Sequence, residues 1–114
     1  MAEVRLLGNR IIVVERNLMS HSVVLTWTAS TDPVTGYNVL RGTSASGPFT
    51  VVNSVPLAAT ATSYTDVGPF PNLGPFYYTA QSISGSTTSV NSNVTAAVFL
   101  PPAAPTNLTV ASTS

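Results

Sequence analysis

One histidine and four carboxylates are the side chains of this 114-residue chain best suited to acid–base catalysis near neutral pH. A nucleophilic triad would need His21, Asp32 or Asp66, and one of the many Ser or Thr hydroxyls. His21 stands just before a run of strand character, the setting of a surface or strand-end residue. A carboxylate pair for glycoside hydrolysis would be drawn from Glu3, Glu15, Asp32 and Asp66. Asp32 and Asp66 fall in turn and strand-end contexts, where Asp caps backbone groups. The chain has no Cys, no His-x-His and no Asp-x-Asp-x-Asp spacing, so Zn²⁺ and Ca²⁺ sites are not expected. No glycine-rich loop opens a helix to cradle phosphate. The expectation is a non-enzyme with no cofactor and no metal.

Binding features are sparse. Tyr77 and Tyr78 alternate faces of one strand, so one ring should be exposed, and an exposed aromatic on a flat sheet can stack on sugar. A lone exposed Tyr is also ordinary, so carbohydrate is the weaker expectation. Asn93-Val-Thr95 and Asn107-Leu-Thr109 fit the N-glycosylation pattern, but such triplets arise by chance in a Ser- and Thr-rich chain.

Charge excludes more than motifs identify. The chain carries four Arg, no Lys and four acids, for zero formal net charge. All four Arg lie within the first 41 residues, and Asp66 is the only charge after Arg41. Nucleic-acid binding and polybasic attachment to membrane surfaces both need dense positive charge, so neither is expected. No apolar run is long enough for a membrane-spanning helix, so membrane insertion is not expected. Ile11 to Val14 is too short for a signal-peptide core.

The elements that must position these residues read as strands. With 16 Thr and 15 Val, 44% hydrophobic residues and no Lys-, Glu- or Leu-rich stretch, the composition is all-β. Alternation predicts strands at Ser22–Thr28, Tyr37–Arg41, Phe49–Val52, Thr62–Asp66, Phe76–Ile83 and Val90–Phe99. Val23, Leu25 and Trp27 share one face of the first, and Tyr37 and Val39 one face of the second. Val67 to Pro75, with three prolines and two glycines, predicts a long corner outside any central ladder. Ile11 to Val14 could add a first strand, with Gly8-Asn9 as a hairpin turn.

In family order, Val23-x-Leu25-x-Trp27, Thr35-Gly-Tyr37-Asn-Val39-Leu-Arg-Gly42, Gly47-Pro-Phe49, Thr62-Ser-Tyr64-Thr-Asp66, Phe76-Tyr-Tyr78 and Ser92-Asn-Val94 resemble a fibronectin type III domain. The resemblance is closest to the bacterial modules of secreted and surface proteins. It covers about two thirds of the chain. It implies an immunoglobulin-like β-sandwich of about seven antiparallel strands over residues 21–100, with Val23, Leu25, Trp27, Tyr37, Val39, Phe76 and Tyr78 in its core. The family's tyrosine corner joins a Tyr hydroxyl to backbone near the start of the sixth strand. Here Phe76 falls at that position, with Tyr77 one residue away.

A second departure concerns the ends. The Pro-rich lead and Asn-Leu-x-Val pattern that open such a domain occur here at the C-terminus, as Pro101-Pro-Ala-Ala-Pro105-Thr-Asn107-Leu108-Thr-Val110. Residues 1–20 show no such signature. Residues 101–114 are either a linker into a further repeat or a strand donated to a neighbour's sheet, with Asn107, Leu108 and Val110 as its key residues. A docked tail is the favoured expectation. The functional expectation is a structural or assembly module whose partners are copies of itself or other structural proteins. Its setting would be a surface filament or virus particle, outside the cell, although no signal peptide is visible. The alternative is an adhesive, spacer or carbohydrate-binding accessory module of a secreted bacterial protein.

Overall fold

A computed structural model describes the backbone of residues 2–7 and 10–15 and the whole of residues 21–114. Among these residues the chain is all-β, with antiparallel pairing throughout and no helix. Strands β1 (Ala2–Leu7) and β2 (Arg10–Glu15) pair antiparallel as a two-stranded sheet. The expected strand at Ile11–Val14 thus lies in β2, with a partner that alternation did not reveal; the Gly8-Asn9 turn lies outside the described residues.

The remaining strands form two sheets. One pairs β3 (Val23–Thr26) with β7 (Ser63–Asp66), Leu25 opposite Tyr64. The other centres on β4 (Gly36–Gly42) and β8 (Tyr77–Ser84), Val39 opposite Ala80. It is extended by β5 (Thr50–Val51) and β6 (Leu57–Ala58) on β4, and by β9 (Thr87–Thr88) on β8. Strand β6 falls in the Pro56 and Ala-rich stretch that lacked a strand signal. The Leu57 carbonyl oxygen comes so close to Gly36 that a Cβ there would collide with it, so only glycine permits that approach.

A shared core lies between the sheets. Val39, Phe70, Phe76, Tyr78 and Leu100 are buried, with Val23, Leu25, Trp27 and Tyr64 packed partly buried against them. Two corner residues belong to this layer: Phe70 fills it, and the Leu73 carbonyl accepts the Leu100 N–H at 2.8 Å. The corner makes no ladder, as its prolines require, but its apolar residues cover one end of the core.

The expected last strand, Val90–Phe99, takes another form. The N–H groups of Ser89, Ser92, Thr95 and Val98 donate to the carbonyls of Ser82, Ala80, Tyr78 and Phe76, at 2.8–2.9 Å. Three outer residues therefore pass for every two of β8, and a regular ladder cannot form. Hydroxyls replace the missing carbonyls: Ser89, Ser92 and Thr95 accept the N–H of Ser82, Ala80 and Tyr78 at 3.0, 2.9 and 3.1 Å. Each hydroxyl then donates to the carbonyl of its next residue. The period of three in Ser89-x-x-Ser92-x-x-Thr95-x-x-Val98 is the pitch of a polyproline-like chain, and it satisfies β8 without presenting a flat outer edge.

Within one chain the tail is uncovered. Residues 101–114 are all exposed and have no hydrogen bond to either sheet among the described residues. The tail is uncharged and runs past the last core residue, Leu100.

Candidate functional site

The two charges that follow Arg16 and belong to strands, Arg41 and Asp66, meet. β4 carries Arg41 and the end of β7 carries Asp66, and Arg41 Nη1 donates to Asp66 Oδ2 at 2.6 Å. The same oxygen accepts the Tyr78 hydroxyl at 2.7 Å, and Oδ1 accepts the Gly68 N–H at 3.0 Å. Arg41 Nη2 reaches the Pro69 carbonyl at 3.1 Å. The guanidinium lies 4.8 Å from the Phe70 ring centroid and 5.5 Å from that of Phe76. The Asp66 side chain is 2% exposed and that of Arg41 18%. A charge so far from water is sustained only by a nearby countercharge and filled hydrogen-bonding positions, and both are present. The cluster locks β4, β7, β8 and the corner together, and its carboxylate is fully engaged.

The hydroxyl of Tyr78 is thus tied to a carboxylate. Burial, then the hydrogen bond and negative charge of Asp66, push its pKa well above the ordinary value of 10.0. The fold holds a proton that the unfolded chain releases near that value, so the stability linked to it is fully present below about pH 10 and is lost as pH rises past it. Urea unfolding midpoints should fall between about pH 10 and 12. Tyr78→Phe should fall less over that interval, though less stable at neutral pH by about 1 kcal/mol. Parallel curves would show that Tyr78 does not hold the proton.

No hydrogen bond joins His21 to Asp32 or Asp66 among the described residues, and no group of three His, Cys, Asp or Glu that could hold a metal occurs there. Asp66 does cap backbone, through Gly68. At Asp32 the roles are exchanged, for the Ser30 hydroxyl accepts the Asp32 N–H at 3.2 Å. Glu3 and Glu15 lie in β1 and β2, whose side chains are outside the described residues. Tyr77 is half-buried and Tyr78 buried, so neither offers the open ring expected for sugar stacking. Asn93 and Asn107 are both exposed.

Of the expected core, Tyr37, Val39, Phe76 and Tyr78 are buried, while Val23, Leu25 and Trp27 are half-buried. Sequence reasoning missed Leu40, Phe70, Leu100 and Asn53. Asn53 accepts the Val39 N–H at 2.8 Å and donates to Asn38 Oδ1 and the Val55 carbonyl, tying the β5–β6 connection to β4. A lone Arg in an apolar strand, with one acid anywhere after it, was the available signal for the ion pair.

A second feature is an open groove of about 420 Å³ between β3 and the outer segment of the larger sheet. Leu25, Trp27, Val39 and Tyr78 line it, with Ser92, Asn93 and Thr95 at its rim. Trp27 packs on Tyr37 with ring centroids 5.5 Å apart, yet its buried Nε1–H has no acceptor among the described residues. A buried donor left unpaired costs about 1–3 kcal/mol.

No family model, curated protein or solved structure matches the chain.

Proposed function

We propose that this chain is a non-catalytic structural module of fibronectin type III character, a β-sandwich of about seven strands that joins copies of itself by sheet-edge pairing. Its C-terminal tail is the donated element. Such a subunit suits a surface filament or virus particle outside the cell. The observation that carries this reading is the tail itself. Leu108 is 96% exposed and Val110 79% exposed, on an uncharged segment that alternates like a strand. Apolar side chains held so openly, two residues apart on one face of an extended chain, favour a partner sheet.

The surface supports the same reading. Isolated domains usually guard their edges with Lys and keep a net charge away from zero, whereas this chain has no Lys and zero formal net charge. A head-to-tail exchange that does not close on itself propagates as a filament.

Light scattering and electron microscopy of the purified chain test the proposal. Concentration-dependent assemblies are expected from the full chain, and removal of residues 101–114 should reduce them to monomers. A full chain that stays monomeric at high concentration, or assemblies indifferent to the deletion, would overturn it.

A further inference from the structure

The geometry points to an acceptor for the tail: the outer edge of β3, where Leu108 and Val110 of a second copy enter the groove beside Trp27. This rests on the assembly reading above and adds the site, strand direction and register.

Hydrogen-bond phase identifies the free edge. Val23, Leu25 and Trp27 face β7 in the ladder, since the Trp27 N–H donates to the Thr62 carbonyl at 2.9 Å and bonded positions alternate. The N–H and C=O groups of Val24 and Thr26 therefore point away from β7. Among the described residues β3 has β7 as its one ladder partner. Two other edges are less receptive. On the β7 side the Tyr64 hydroxyl donates across to the Val52 carbonyl at 3.3 Å, and the adjoining cavity holds the Arg41–Asp66 pair. The Ser89–Val98 segment has spent its hydroxyls on β8 in an irregular register.

The groove fits an uncharged strand with an apolar face. Neither its lining nor the tail carries a charge, so docking strands no ion away from water. An antiparallel strand with Leu108 opposite Trp27 and Val110 opposite Leu25 directs both side chains inward. It also sets Thr109 opposite Thr26 in a hydrogen-bonded pair. Asn107, with φ of 55°, bends the chain at the groove mouth between the Pro-rich lead and the strand.

Distance makes the donor a second copy. Leu100 follows Val98, which pairs with Phe76, whereas Trp27 packs on Tyr37 at the level of Ser82. An antiparallel strand must enter beyond that far end of β3. The climb from Phe76 to Ser82 alone is about 20 Å at 3.3 Å per residue, while the eight steps from Leu100 to Leu108 span about 25 Å fully extended, which leaves too little chain to cross the groove and reverse.

The absence of native Cys allows a direct test. The full-length Thr26→Cys/Thr109→Cys variant, oxidised after assembly, should give a ladder of disulfide-linked multimers on a non-reducing gel. Val24→Cys/Thr109→Cys, out of register, should cross-link far less. As the only Trp, Trp27 should shift its fluorescence to the blue on assembly. Thr26→Pro removes an outward N–H that β7 does not use, and should abolish assembly while leaving a folded monomer. Tail-dependent assemblies in which Thr26→Cys/Thr109→Cys forms no disulfide, or in which Trp27 does not shift, would overturn this acceptor and leave the assembly reading standing. A disulfide formed within a monomer would overturn the exchange between copies. Assemblies indifferent to residues 101–114 would overturn both.

Discussion

Replacing Asp66 by alanine is expected to lower the unfolding free energy by about 3–5 kcal/mol, the range for breaking a buried ion pair from one side. The carboxylate receives Arg41, Tyr78 and the Gly68 N–H at once. Its removal leaves a guanidinium 18% exposed between aromatic rings and a buried phenol with no acceptor. The corner also loses its hold, because Gly68 and Pro69 are tied to the sheets through this cluster. Asp66→Asn retains an acceptor and the side-chain shape, so it should cost less than Asp66→Ala. Urea unfolding followed by Trp27 fluorescence measures both. Losses below about 1 kcal/mol, the level of exposed ion pairs, would mean that Arg41 and Tyr78 readily find water instead.

The second large effect is expected at Phe76. Its side chain is 1% exposed and packs on Phe70 with centroids 5.5 Å apart, so Phe76→Ala should cost about 3–5 kcal/mol through lost burial and the cavity left behind. Phe76→Leu, which refills most of the space, should cost less than about 1.5 kcal/mol. The backbone exchange with Val98, 2.8 Å in both directions, is open to either replacement. Arg41 connects the two predictions, since its guanidinium contacts both the Asp66 carboxylate and the Phe76 ring. The Asp66→Ala/Phe76→Ala double variant should therefore depart from additivity by at least about 0.5 kcal/mol, which a double-mutant cycle detects. Strict additivity would show that the ring contact contributes nothing beyond its own burial.

Much of the strand layout was legible because alternation is a local property. Strands β4, β7 and β8 fall where β-branched and aromatic residues alternate between Gly, Pro and Ser clusters, and Trp27 lies on the predicted face. Three features were not legible. Strand β6 has two residues beside a proline, too few to show any period. The outer segment is bonded by hydroxyls at a spacing of three, so a search for alternation finds Val90–Phe99 and mistakes its form. Phe70 and Leu73 sit among prolines that rule out a ladder, yet a corner that makes no ladder can still seal a core.

The candidate site divides in the same way. Arg41 and Asp66 stand out in a nearly uncharged chain, but they are 25 residues apart, and only pairing of β4 with β8 and β3 with β7 brings them within bonding distance. Sequence also exposed the tail as misplaced, with a first-strand signature at the end of the chain. It favoured docking, and within one chain the tail is uncovered.

Composition and local pattern were sufficient to determine an all-β chain with one charge after Arg41, because each depends on residue type and near neighbours. Tertiary structure decided which polar groups are buried together, where the hydroxyl ladder runs, and that β3 keeps an open edge. Those depend on register between distant strands, and a shift of one residue would turn every side chain to the opposite face.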